Sequence, residues 1–350
     1  MKISDLTADV MARLYNAGHP VLLRGAAGIA KTAVVNQQAA ELGLHVITAF
    51  LPAMDAPDAL GFLVPSKTDN GPVSNYTKPD WLRQIENSNA ERGILFLDEF
   101  LAADHLVQKA FAPLLSEGQI GEWKLPEGWV VWLAGNRVTD KAGANRMLGH
   151  VANRMTILDV SPDVDGWMKW AGQQGMHPMY MAFAKARPGV VFNEDPPKDP
   201  NEPRTSPRSF TYAHDFHANG VEGMELPSDA VTQDIVAGFI GPGSAAEFFS
   251  FIKVVNELPT IEEIIKDPMA AKLPEGSRLD AQYAAVQMII HHADADNVDN
   301  LFQYVERLVK ELQTSAAKQL IDKSGGRLLN SKALAAWVGR NKALITASLA

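Results

Sequence analysis

The chain has no cysteine among its 350 residues. That removes disulfides and thiolate metal centres, and it fits a reducing compartment. Long apolar runs are also missing: none approaches the ~18 residues that a membrane helix needs. The N-terminal stretch Met1-Lys-Ile-Ser-Asp-Leu6 lacks the apolar core of a secretion signal. Together these absences predict a cytoplasmic protein without membrane insertion. There is no run of Lys and Arg and no basic stripe interleaved with aromatics. With a formal net charge of −9, the chain has little to attract nucleic-acid phosphates, which need clustered cations. A basic pore inside an oligomer stays compatible with that balance.

What is present is concentrated in two short segments. Residues 24–32 read Arg-Gly-Ala-Ala-Gly-Ile-Ala-Lys-Thr after the apolar strand Val21-Leu22-Leu23. Gly25, Ala26, Ala27, Gly28, Ile29 and Ala30 form a loop whose backbone N–H groups can turn toward phosphates. Lys31 and Thr32 then open a helix aimed at the same point. Lys31 neutralises β/γ-phosphate charge, and the Thr32 hydroxyl suits Mg²⁺. Ala30 replaces the last glycine of the usual phosphate-loop pattern, which is tolerable if that residue already has helical angles. Further on, Gly93-Ile-Leu-Phe-Leu-Asp98-Glu99 is a buried strand ending in two acids. Asp98 is placed to hold Mg²⁺, and Glu99 to orient and deprotonate an attacking water. The chemistry predicted is binding and hydrolysis of ATP.

Elements alternate around these motifs. Helical spacing is expected over 3–17, 31–42, 79–89 and 103–117. Strands are expected at 44–50, 93–98, 129–134 and 155–160, and a short hairpin with Asn70-Gly71 in its turn within 61–76. Alternation over 1–160 means an α/β domain with a parallel sheet. After Ser161-Pro162 the pattern becomes helical over 163–187 and 208–255, is irregular over 257–278, and is helical again over 279–345. The expected division is 1–160 for nucleotide binding, 161–256 for a helical second domain and 257–350 for a helical C-terminal extension.

Asn136 ends the strand beside the acid-tipped one, where a water-positioning group belongs. Arg146 and Arg154 precede the last strand, and either could reach the γ-phosphate of a neighbouring subunit. Arg208 follows Ser206-Pro207, a helix-start signal, and is placed to point at the nucleotide.

This set, in this order, resembles the AAA+ ATPases and, among them, the MoxR-like branch. The resemblance covers roughly residues 1–255. It rests on Gly25-x-x-Gly-x-Ala-Lys-Thr32 and Leu97-Asp-Glu-Phe100, with Val107-Gln-Lys-Ala110 and Leu114-Leu-Ser-Glu-Gly-Gln119 behind them. Asp58-Ala-Leu-Gly61 with the insertion to Tyr76 resembles the branch's pore-facing hairpin. The resemblance implies a P-loop AAA+ sheet flanked by helices, an α-helical lid and a hexameric ring. In that ring Asn136 is sensor 1, Arg154 the arginine finger and Arg208 sensor 2. Met155 follows Arg154 where the family usually has phenylalanine, which keeps Arg146 as the alternative finger. Trp167, Trp170-Ala171, Met176-His-Pro178 and Ser206-Pro-Arg-Ser209 are similar to the lid of a subgroup found beside von Willebrand factor A-type adaptor proteins. The implied activity is ATP-driven remodelling of a protein complex; no target is named by the residues.

Two other classes stay open: a nucleotide-gated assembly scaffold with slow hydrolysis, and a DNA-acting AAA+ protein, which the charge disfavours. A small-molecule kinase would leave Arg154 and Arg208 without a purpose. His291-His292 with Asp294, Asp296 and Asp299 reads as a helix end with an Asp/Asn cap rather than a metal loop. His177-Pro178 reads as a helix start, and Trp129, Trp132, Trp167 and Trp170 as packing residues.

Overall fold

The computed structural model describes residues 1–341 apart from 70, 141–146, 148, 196–198, 200, 222, 224, 257, 276 and 277. The described chain divides into two compact units: 1–163 with 194–202 and 206–208, and 164–193 with 203–205 and 209 onward.

The first unit is built on strands β1 (Val21–Arg24), β2 (His45–Phe50), β3 (Leu63–Thr68), β4 (Gly71–Tyr76), β5 (Gly93–Asp98), β6 (Gln119–Ile120), β7 (Trp123–Lys124), β8 (Trp129–Gly135) and β9 (Thr156–Asp159). Five of them form one sheet in the order β2-β5-β8-β1-β9, and every pairing in it is parallel. Both faces are covered, which is why its strands read as continuous apolar runs. Side chains nevertheless alternate between the faces. Leu22, Leu95, Leu97, Val131 and Leu133 pack with Trp81, Ile85, Phe111 and Leu115. Val21, Leu23, Ile94, Phe96, Val130 and Trp132 pack with Met11, Tyr15, Val35 and Ala39.

Local signals explain the helix ends. Thr7 caps helix Ala8–Ala17, Asp104 caps helix His105–Glu117, and Gly18 and Gly118 close those helices in left-handed conformation. The expected hairpin is β3–β4, joined antiparallel from Leu63↔Tyr76 to Thr68↔Gly71; Asn70 lies outside the described residues. Phe62, Leu63, Val64, Val73 and Tyr76 are exposed, so the insertion is not core, yet it is more apolar than its turn residues suggest.

The second unit is helical. Val164–Gln173, Pro178–Ala186, Pro207–His217, Ala230–Ile240 and Pro242–Val255 are helices, with only the first turn of the third counted in the first unit. Their core is aromatic: Tyr180, Phe183, Phe210 and Phe248 have ring centroids 4.5–5.8 Å apart. Helices Leu279–His292, Val298–Val305, Lys310–Ser324 and Lys332–Arg340 surround a second cluster. Ala284 of the first of these joins the aromatic core, so residues on both sides of 256 share one interior. The stretch 257–278 contains a helix that periodicity missed, Ile261–Lys266. A Thr260/Glu263 capping box starts it, a four-residue signal readable in the sequence. The Asp/Asn cap after His292 is present: Asp294 Oδ1 accepts from the Asn297 N–H, and Asn297 Oδ1 from the Asp294 N–H. Among the described residues, no helix is long and apolar enough to cross a membrane.

Candidate nucleotide-binding site

β1 delivers the chain to the edge of the sheet, and residues 25–30 turn there before helix Lys31–Glu41 begins. The loop is tightly backed. A Cβ on Gly25 would lie 2.3 Å from the Val160 carbonyl oxygen, and one on Gly28 would lie 2.6 Å from Ser206 Oγ. Gly28 has φ +79°, so it needs glycine twice over. Helical angles, expected at Ala30, are not what the chain adopts. Its φ of 73° and ψ of 26° are left-handed, because the backbone must reverse before the helix can start. Alanine holds that position at a cost of roughly 1–2 kcal/mol relative to an unstrained conformation. Glu99 is also left-handed, with φ 54° and ψ 35°. β5 therefore ends abruptly, and the two acids point in different directions.

Side chains from four elements converge. Lys31 is buried, and its Nζ donates to the Gly25 and Ala26 carbonyls and to Asn136 Oδ1, each at 2.9 Å. Asn136 Nδ2 donates to Glu99 Oε1 and Oε2 at 3.2 and 3.0 Å. Thr32 Oγ1 donates to Asp98 Oδ2 at 2.9 Å, and the Glu99 N–H donates to Asp98 Oδ1 at 3.0 Å. Burial raises the Glu99 carboxyl above its ordinary range, and Asp98 adds to this; Lys31, Asn136 and Arg208 pull the other way. The Arg208 N–H donates to the Gly28 carbonyl at 3.3 Å, which puts this residue behind the loop.

The geometry therefore brings together Gly25, Ala26, Ala27, Gly28, Ile29, Ala30, Lys31, Thr32, Asp98, Glu99, Asn136 and Arg208. Arg154 it does not. Arg154 is exposed just before β9, and the Thr156 N–H donates to the Pro20 carbonyl ahead of β1. The length of β1, on the order of 10 Å at ~3.3 Å per residue, separates it from the loop. It borders a groove at the opposite sheet edge, with His19, Glu117 and Glu127. Arg146 lies outside the described residues.

Among the ion pairs that escaped the sequence reading, two lie beside the loop and Asn136 in sequence. Arg24 Nε and Nη2 meet Asp159 Oδ1 and Oδ2 at 2.6 and 2.8 Å, and Arg137 Nη2 meets Glu194 Oε2 at 2.7 Å. Arg24 and Asp159 are register partners in parallel strands, so nothing short of the sheet order pairs them.

The set fits a magnesium nucleotide. Thr32 and Asp98 offer two convergent oxygens, and Mg²⁺ asks few ligands of a protein because phosphates and water supply the rest. Among the described residues, no group of three or more His, Cys, Asp or Glu is placed to hold a metal by itself.

A phosphate loop after β1, paired acids after β5, an asparagine after β8 and a helical region after β9, on a β2-β5-β8-β1-β9 sheet, decide the architecture. The fold is AAA+-like. No family model and no curated protein sequence matches the chain. Among solved structures it is similar to a point mutant of RuvB from Thermotoga maritima: 14% identity over 96% of this chain and 82% of that one, TM-score 0.33. It is also similar to a putative ATPase from Cytophaga hutchinsonii, at 12% identity over 91% and 82%, TM-score 0.33. NtrX from Brucella abortus in complex with ADP matches at 15% identity over 91% and 67%, TM-score 0.40. Likeness at this level carries no argument, and the architecture rests on the strand order and pairing of the chain itself.

Proposed function

We propose that the chain is a Mg²⁺-dependent ATPase working as a ring-forming motor, of MoxR-like type, that remodels a protein complex. The observation that carries the ATPase reading is the single hydrogen-bonded cluster of Lys31, Asn136 and Glu99, with Thr32–Asp98 beside it. The loop amides and Lys31 bind the β- and γ-phosphates. Thr32 and Asp98 would hold Mg²⁺, which supplies charge neutralisation at the phosphates. Glu99 takes a proton from water as the water oxygen bonds to the γ-phosphorus; the bond to the bridging oxygen breaks and ADP leaves with that electron pair. Arg154, too far from its own loop, serves a neighbouring subunit's γ-phosphate, and Arg208 reads the nucleotide from behind Gly28.

The ring reading rests on Arg154 and on the family resemblance. A hexamer and a von Willebrand factor A-type adaptor follow from the resemblance. The exposed apolar hairpin β3–β4 suits contact with a protein target better than with nucleic acid. Glu99→Gln tests the core of the proposal. It should bind ATP as tightly as the native protein and turn it over about 10²–10⁴-fold more slowly, since an amide accepts no proton from water. Comparable turnover by the two proteins would overturn the mechanism. Unchanged turnover when nucleic acid is added separates this reading from a DNA-acting one.

A further inference from the structure

Two helices of the second unit carry apolar side chains on both faces. On Pro207–His217 and Ala230–Ile240, the buried Phe210, Ala213, Val236 and Ile240 belong to the aromatic core. On the outer side, Tyr212 and Phe216 stand one turn apart on the first helix, 53% and 41% exposed. Val231 and Ile235 stand one turn apart on the second, 67% and 39% exposed. Half-buried Phe239 joins the two rows, its ring centroid 6.2 Å from that of Phe216. Large apolar side chains gathered in this way mark an interaction site, as single exposed ones do not.

The charge around these rows has one sign. Between Arg208 and Lys253 the sequence has no Lys or Arg and six acids: Asp215, Glu222, Glu225, Asp229, Asp234 and Glu247. Arg208, the last cation before the rows, belongs to the first unit. Asp215 adjoins Phe216 and Asp234 adjoins Ile235, and both are exposed. The Asp215 carboxylate also meets His214 Nδ1 at 3.1 Å. Such a rim repels anionic lipid and nucleic-acid phosphates. A second copy using the same face would set acid against acid, and each copy carries a net charge of −9. The complement is an apolar stripe flanked by cations. Adjoining rows with i, i+4 spacing suit a helix laid along them.

We propose that this two-helix face docks a partner protein through an amphipathic helix whose apolar stripe is flanked by Lys and Arg. Tyr212 and Phe216 supply aromatic anchors, while Asp215 and Asp234 set orientation and partner choice. The face uses none of the residues assigned to ATP and does not depend on that reading.

The test uses the full chain and two fluorescent helical peptides of equal length, one of Leu and Lys and one of Leu and Glu, followed by anisotropy. The Leu/Lys peptide should bind and the Leu/Glu peptide should not. Phe216→Ser and Ile235→Ser should each weaken binding about tenfold or more, the loss expected of an interface anchor. Thermal melting of each variant checks that it folds, and the two sites stand in for one another if one does not. Asp234→Asn, which leaves the His214–Asp215 pair intact, should weaken binding less and reduce its dependence on salt. Glu311→Gln and Asp322→Asn, exposed on helix Lys310–Ser324, should change nothing. Absence of binding, equal binding of both peptides, or binding unchanged by Phe216→Ser and Ile235→Ser overturns the proposal. Equal weakening by the Glu311 and Asp322 variants reduces the effect to overall acidity and overturns it too. Sedimentation without peptide covers the other occupant: self-association that Phe216→Ser abolishes would give the face to a second copy, and the proposal falls.

Discussion

Each unit of the molecule buries a polar network, and the two networks are built to opposite ends. In the first, Lys31, Asn136, Glu99, Thr32 and Asp98 include charged groups joined by bonds that a phosphate or a metal can take over. In the second, three histidines and a tyrosine close on themselves. His217 Nε2 pairs with the Pro227 carbonyl and its Nδ1 with the Tyr180 hydroxyl; His177 Nε2 pairs with the Gly223 carbonyl and its Nδ1 accepts from the Met179 N–H. His214 Nε2 accepts from the His177 N–H, and its Nδ1 meets Asp215. A carbonyl only accepts, so His177 and His217 are each donors at Nε2; His177 is also an acceptor at Nδ1, which fixes it as neutral, while the Tyr180 hydroxyl can meet His217 Nδ1 as donor or acceptor. The lesson is that burial of ionisable groups does not mark a site. What marks it is charge held by replaceable partners, and the histidine cluster has none to offer a ligand.

The sharpest way to break the comparison is to show that the first network is no more open than the second. Arg154→Ala should bind ATP normally and hydrolyse it ~10³–10⁵-fold more slowly, the range for arginine fingers in related chemistry. Lys31→Ala should lose binding altogether. Mixing the two should restore part of the activity, because one chain supplies the arginine and the other an intact loop. If no mixture rescues and Arg154→Ala alone is fully active, Arg146 becomes the finger to test.

The histidines give a smaller effect of predictable sign. Burial depresses His177 to about 4, and it lowers His217 as well. Both fall below the ordinary histidine value, so between pH 6.5 and about 4 the unfolded chain binds protons that the folded unit refuses. Stability is full above the ordinary histidine value and declines as pH falls through that window. The melting temperature should drop by several degrees from about pH 7.5 to about pH 5, and His177→Gln should flatten the decline. A flat profile in the native protein would mean that the cluster accepts protons and is less closed than its bonds imply.

The smallest effect belongs to Ala30. Replacement by glycine removes the left-handed penalty and should stabilise the first unit by ~1 kcal/mol, measured by urea unfolding, with ATP affinity unchanged or raised. Destabilisation would mean that the methyl packs usefully enough to outweigh its strain.

Much of the first unit was legible because its signals are local. The loop, the acid pair and Asn136 each sit directly after an apolar strand, and parallel strands put all such ends on one edge. The conformation of Ala30 was not legible, since a chain reversal one residue before a helix leaves the same letters as a helix start. Arg24–Asp159 depends on strand register. In the second unit, His214 and His217 share a helix face at i, i+3, a visible hint, but His177 joins them only through the fold. The helix at 261–266 was hidden by its neighbours Pro259 and Pro268, although its capping box was in plain view.

Under the proposed trans role, the place of Arg154, across the sheet from its own loop, would make abundance a control variable. If hydrolysis needs an arginine from a second chain, the rate per molecule vanishes on dilution and climbs with concentration until every pocket has a neighbour. A cell could then silence this protein by keeping it scarce, and awaken it by any scaffold that crowds its copies together.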